Sequence, residues 1–212
     1  MNVDLSIVDR DARLFDCCHT VFIVDESGSM AELIAGISRL ECAKDAFGRL
    51  IGVKIRAYPQ DVVAVVSFSD SAIIRHAGAV VGTGHQALLK CMEDVQPDQY
   101  TAIGLGLSMA RRVLFRLVGR NAGRRTRSQV ILLTDGENNR SPDPVEIAAE
   151  LKEDGVWIDA IGIGNGQDLD ATCLRTIAST RPDGTPSYQF IDNPEQLRNY
   201  LAELAQHYLM PL

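Results

Sequence analysis

The sequence predicts an α/β fold: a doubly wound, mostly parallel sheet with helices on both faces and one short antiparallel edge strand. Three observations lead there. Residues 19–25, 62–68, 128–134 and 156–163 are each built round a short apolar run (Val21–Val24, Val62–Val66, Val130–Leu133, Val156–Ile158), as expected of strands buried on both faces, where alternation has no use. Amphipathic helical patterns separate them, and alternation of strand and helix is the pattern of a covered parallel sheet. Two of the runs lead into an aspartate, Asp25 and Asp135. In open sheets of this kind ligands bind beyond the carboxyl ends of the strands.

Taken in order, residues 1–17 are mixed and acidic and form an N-terminal arm or an edge element, ahead of a domain covering 18–212. Residues 19–25 are the first strand. Leu33, Ile34, Ile37, Leu40, Cys42, Ala43, Ala46, Phe47 and Leu50 recur near helical spacing, which predicts a long helix over 31–55. Tyr58-Pro59-Gln60-Asp61 is a turn, and Val62–Phe68 is a second buried strand. A tight Ser69-Asp70-Ser71 turn leads to a short antiparallel edge strand at 72–76. Gly82-Thr83-Gly84 reads as a loop before a helix over 85–94, and Pro97 to Thr101 as a polar loop entering a helix over 104–118. A glycine- and arginine-rich loop, 119–127, precedes the strand at 128–134. Ser141-Pro142-Asp143-Pro144 starts a helix reaching Asp154, with proline suited to the first turn. The strand at 156–163, a helix over 168–179, a short strand at 188–191 and a closing helix over 194–208 complete the chain. No repeat or low-complexity tract interrupts it.

With 212 residues the chain can bury a large core, and 46% hydrophobic and 23% charged residues are ordinary for a soluble globular protein. A net charge of −7 argues against general nucleic-acid binding. The first ten residues lack the basic start and apolar run of a secretory signal, and no run approaches the ~18 apolar residues of a membrane span. Cysteines 17, 18, 42, 91 and 173 are odd in number and without Cys-x-x-Cys, which predicts reduced thiols in a cytoplasmic protein.

The organising stretch is Val21-Phe22-Ile23-Val24-Asp25-Glu26-Ser27-Gly28-Ser29-Met30. An apolar strand breaks into Asp-x-Ser-x-Ser, so three oxygen-bearing side chains at alternate positions can converge above the sheet. Carboxylate and hydroxyl oxygens are hard ligands and suit Mg²⁺ or Mn²⁺, with Ca²⁺ a third candidate. Two further candidates lie downstream: Thr101, at a loop running into a helix, and Asp135, at the end of the third long strand.

These five residues, in this order, resemble the metal ion-dependent adhesion site of von Willebrand factor A-type domains, over roughly residues 18–208. The resemblance implies a Rossmann-like fold and an ion held directly by Ser27, Ser29 and Thr101, with Asp25 and Asp135 acting through water. It implies an open coordination position that a partner's Asp or Glu fills. The expected function is therefore a metal-dependent protein-binding module, not an enzyme, serving as an adaptor to a partner such as an AAA+ ATPase assembly or a kinase or phosphatase system. A magnesium-dependent phosphoryl-transfer or hydrolytic enzyme at the same acidic site is the alternative. Histidines 19, 76, 85 and 207 all lie outside the three motifs, so binding is the simpler reading.

Other features compete less well. Glu26 and Glu137 fringe the motif and read as ordinary solvated loop acids. Gly82-Thr83-Gly84-His85-Gln86-Ala87 matches a dinucleotide fingerprint but follows an edge segment and is read as a loop. Gly162-Ile163-Gly164-Asn165-Gly166 reads as a tight turn beside the metal edge. Residues 111–127 hold seven arginines and read as a solvated helix face and loop; the alternative is a second surface for an acidic partner or, less readily, nucleic acid.

Overall fold

A computed structural model describes residues 15–206 apart from 99, 122, 137, 139 and 165–168. Its centre is a six-stranded sheet. The strands are β1 (Cys17–Asp25), β4 (Val62–Phe68), β5 (Ala72–Val80), β6 (Thr126–Thr134), β7 (Val156–Ile163) and β8 (Tyr188–Ile191). They lie in the order β5-β4-β1-β6-β7-β8. Every pairing is parallel except that of β4 with β5. A small separate hairpin joins β2 (Leu33–Ile34) to β3 (Ile37–Ser38). The helices are α1 (Arg39–Ala57), α2 (Val81–Glu93), α3 (Ile103–Arg120), α4 (Pro144–Glu153), α5 (Ala171–Ile177) and α6 (Pro194–Leu204).

Side chains alternate across a strand, so β1 feeds two cores. Phe22 and Val24 face the layer of α1, α2 and α6, where the Phe22 and Phe47 ring centroids are 4.9 Å apart. Val21 and Ile23 face the layer of α3, α4 and α5. All nine residues of β1 are buried, which explains why Val21–Val24 run without alternation up to Asp25.

Five expectations of extent are corrected. The helix predicted over 31–55 begins at Arg39. Residues 28–31 form a single 3-10 turn and residues 33–38 the β2–β3 hairpin. Ala35 and Gly36 link that hairpin with φ of 52° and 85°, a left-handed pair that no helix accommodates. Leu33 and Ile37, which seemed to continue the helical stripe, are 68% and 46% exposed. Ser38 caps α1, its hydroxyl accepting the Glu41 N–H.

The edge strand is not short. It runs nine residues, to Val80. The glycine pair at 82–84 then lies in the first turn of α2 rather than in a loop. A Cβ on Gly82 would stand 2.9 Å from the Pro59 carbonyl oxygen, and one on Gly84 2.6 Å from the Ala79 Cβ. Gly82 thus lets α2 start against the Pro59 turn and Gly84 against the end of β5, close approaches that account for the glycines of the fingerprint. The α5 helix is confined to 171–177 and α6 ends at 204. The expected arm at 1–14 lies outside the described residues.

At the end of the sheet where β1 and β4 begin, Lys54 Nζ donates to Asp61 Oδ2 at 3.0 Å, and Asp61 Oδ1 accepts the Cys18 N–H at 3.0 Å. Both side chains are buried. The five cysteines are free thiols, four of them buried. Among the described residues no helix is long and apolar enough to cross a membrane.

Candidate functional site

Asp25 is the last residue of β1, and Asp135 follows the last residue of β6. The two strands are parallel neighbours, with Val24 opposite Leu133, so both carboxylates emerge side by side at one edge of the sheet. Asp25 is fully buried and Asp135 nearly so. Asp25 Oδ1 accepts the Ser27 N–H at 2.8 Å, and its Oδ2 accepts the Thr134 hydroxyl.

After Asp25 the chain tightens into the 3-10 turn. Ser27 stands at that turn's N-cap yet makes no side-chain capping bond, which leaves its hydroxyl for the site. Ser27 Oγ lies 3.1 Å from Ser29 Oγ, and Ser29 Oγ donates to Asp135 Oδ1 at 2.7 Å. A continuous set of polar contacts therefore runs from Asp25 through Ser27 and Ser29 to Asp135.

Thr101 arrives from the segment before α3 and is 5% exposed. A Cβ on Gly136 would lie 3.5 Å from Thr101 Oγ1, so this hydroxyl stands against the Asp135-Gly136 backbone. The segment carrying it is pinned. The Ala102 N–H donates to the Ser69 carbonyl at 2.8 Å, the Ser69 hydroxyl to Asp98 Oδ2 at 3.1 Å, and the Asp98 N–H to the Glu26 carbonyl. The Ile103 N–H, orphaned at the start of α3, donates to Asn138 Oδ1 at 3.0 Å. A Cβ on Gly104 would come 2.1 Å from the Pro142 carbonyl oxygen, so only glycine allows α3 to start this close to the Ser141-Pro142 loop.

Burial, and next the charge of Asp135, push the Asp25 carboxyl up to about 7, against the lowering effect of its bonds from Thr134 and Ser27. Burial also raises Asp135, opposed by hydrogen bonds from Arg39 and Ser29.

Arg39 is the residue that sequence reasoning missed. Its guanidinium is buried, with Nη1 donating to Asp135 Oδ2 at 2.8 Å and to the Ser29 carbonyl at 3.4 Å, and Nη2 to Glu32 Oε2 at 2.6 Å. Arg39 Nε has no hydrogen-bond partner among the described residues. A usable signal existed: an arginine in the first turn of a helix sits at the positive end of the dipole and needs an acid nearby. Placing the helix start at 31 hid it.

Glu26 is not a solvated loop acid. It is 3% exposed and paired with Arg75 at 2.7 Å, because antiparallel β5 carries Arg75 back over the end of β4. Glu137 and the Asn165-Gly166 end of the expected turn lie outside the described residues, while Gly164 packs against the Arg39 guanidinium. The arginine-rich segment begins on α3 and ends on β6, away from the carboxylates. Arg111 pairs with Glu150 and with Asp154 on and beside α4, Arg125 pairs with Asp16, and Arg127 stands over Trp157.

Among the described residues no group of three or more His, Cys, Asp or Glu is placed to hold an ion. The donors at the β1–β6 edge are instead two carboxylates and three hydroxyls.

The model of the von Willebrand factor type A domain matches residues 20–202. The chain belongs to that family. Its relatives include the uncharacterised Escherichia coli K12 protein YfbK, 25% identical over 206 residues, a match covering 95% of this chain but 33% of YfbK. The vWA chain thus spans about a third of that relative. BatB from Bacteroides thetaiotaomicron has a similar fold, with a TM-score of 0.72 at 22% identity over 90% of this chain and 98% of BatB. So has proximal thread matrix protein 1 from the mussel byssus, in a structure with a zinc-occupied MIDAS motif. Its TM-score is 0.69 at 23% identity, covering 91% of this chain and 46% of that one.

Proposed function

We propose that this vWA domain is a metal-dependent protein-binding module whose ion is held by Asp25, Ser27, Ser29, Thr101 and Asp135. The observation that carries this reading is the run of contacts from Asp25 through Ser27 and Ser29 to Asp135 at adjacent strand ends. The donor chemistry fits a hard divalent cation, Mg²⁺ or Mn²⁺ first and Ca²⁺ after them, because every donor is an oxygen. Two buried carboxylates side by side, with Asp135 close enough to raise the Asp25 carboxyl, favour such an ion further. The hydroxyls of Ser27, Ser29 and Thr101 would hold it directly, with the carboxylates acting through water. When bound, the ion supplies a Lewis-acidic position for an external carboxylate.

The partner is a protein presenting an aspartate or glutamate, with an AAA+ ATPase assembly or a kinase or phosphatase system as the class to search. The free thiols suit a cytoplasmic setting. Binding is preferred to catalysis because both carboxylates at this edge are already engaged, Asp25 by Ser27 and Thr134 and Asp135 by Arg39 and Ser29.

Calorimetric titration of Mg²⁺ and Mn²⁺ into the chelator-treated protein tests the ion site. One site is expected, lost in Ser27→Ala and Asp135→Ala. If both variants fold and still bind ion and partner, the reading is wrong.

A further inference from the structure

We infer that Arg39 is a resident cation that opposes the bare metal ion and so makes metal occupancy depend on an anionic partner. The inference rests on the metal-site reading above.

The Arg39 side chain is 4% exposed and stays charged, since a guanidinium does not deprotonate in proteins. Its Nη1 takes Asp135 Oδ2 while Ser29 takes Oδ1, so both oxygens of Asp135 are engaged. An ion that draws on Asp135 must share it with this guanidinium. Nor does Arg39 have the contacts of a purely structural arginine. Its Nε is buried without a hydrogen-bond partner among the described residues, and its position in the first turn of α1 sets its charge against the helix dipole.

Charge counting gives the consequence. Glu26 is neutralised by Arg75, and Glu32, 55% exposed at its side chain, is screened by water. Among the described charged groups bonded directly to one another or to the proposed serine donors, what remains is Asp25 and Asp135 against Arg39, a net charge of about −1 when both acids are ionised. A dication entering this site leaves it positive, and a carboxylate arriving with the dication restores balance. Without Arg39, the two carboxylates alone would balance the ion and the partner's acid would add little. Arg39 therefore couples the two ligands, each raising the affinity of the other.

The test is calorimetric titration of Mn²⁺ into chelator-treated wild type and Arg39→Gln, with and without acetate as the carboxylate probe. Arg39→Gln is expected to bind Mn²⁺ alone about tenfold more tightly, the effect of removing one nearby like charge from a partly solvated site. The gain that acetate gives the wild type should shrink in this variant. Arg39→Lys keeps the charge and should stay near wild type. The metal-free Tm supplies a second readout: Arg39→Gln should fall below wild type and recover more on adding Mn²⁺. A folded Arg39→Gln that binds Mn²⁺ equally or more weakly, while wild type binds, overturns the inference alone. Failure of wild type to bind under either condition removes the metal-site reading itself. Should Arg39→Gln not fold, Glu32→Ala carries the test. It leaves Asp135 as the one acid paired with Arg39 among the described residues, so a larger acetate gain supports the coupling and an unchanged gain overturns it.

Discussion

The Thr134 hydroxyl donates to the buried carboxyl of Asp25, the last residue of β6 bonding to the last residue of β1. That bond eases, without abolishing, the cost of an acid in a dry place.

The residual cost predicts the pH dependence of the metal-free protein. The folded Asp25 titrates near 7 and the unfolded one near 3.8, so the folded chain holds the extra proton between them. Stability is therefore highest below about pH 4 as far as this group goes. It falls by up to ~1.4 kcal/mol per pH unit as pH rises towards 7, and is flat above. Asp135 is shifted in the same direction. Urea midpoints in chelator should show this slope, and Asp25→Asn should reduce it. Midpoints that rise across the window in wild type would contradict the burial argument.

Gly104→Ala should be among the most damaging single-methyl changes in the chain. The added Cβ meets a backbone oxygen at 2.1 Å, and backbone cannot swing aside as a side chain would. A loss of about 1–3 kcal/mol is expected from overpacking, with weakened ion binding because Thr101 precedes this turn. Denaturation and ion titration of the same variant check both.

At the far end of the sheet, Lys54→Met should cost about 3–5 kcal/mol by leaving Asp61 charged in the core. The double variant Lys54→Met/Asp61→Leu should recover much of that loss. A double variant no better than the single one would mean that the Cys18 N–H bond to Asp61, and not the ion pair, holds this corner.

Arg75→Ala strands Glu26 in the same way beside the candidate site, and roughly 2–3 kcal/mol of destabilisation is expected, moderated because Arg75 is partly exposed. Glu26→Gln in that background should restore most of it. Thermal melts of the two variants give the comparison directly.

The fold was legible because burial on both faces leaves a signature that needs no partner to be read. Residues 62–68, 156–163 and 188–191 match their observed strands end for end. The positions of Asp25 and Asp135 followed from strand ends alone. What escaped depended on tertiary contacts or on backbone geometry. The hairpin at 33–38 hid behind helical spacing, because Leu33 and Ile37 are apolar yet exposed. The full length of β5 hid because its far end, Ala77-Gly78-Ala79-Val80, is made mostly of small residues with no strand-like alternation. Arg39 and Arg75 could not be assigned to Asp135 and Glu26, which lie 96 and 49 residues away in sequence.

The two outer strands decide how this molecule can meet others. On one side β5 pairs with β4 through two register shifts, which break the regular ladder; on the other, β8 has only four residues. Arg75 and His76 on β5 further discourage a stranger's strand from lying alongside. The irregular β5 and the four-residue β8 both make poor templates for a further strand. The five predicted site residues stand away from both borders, at the end where the strands finish.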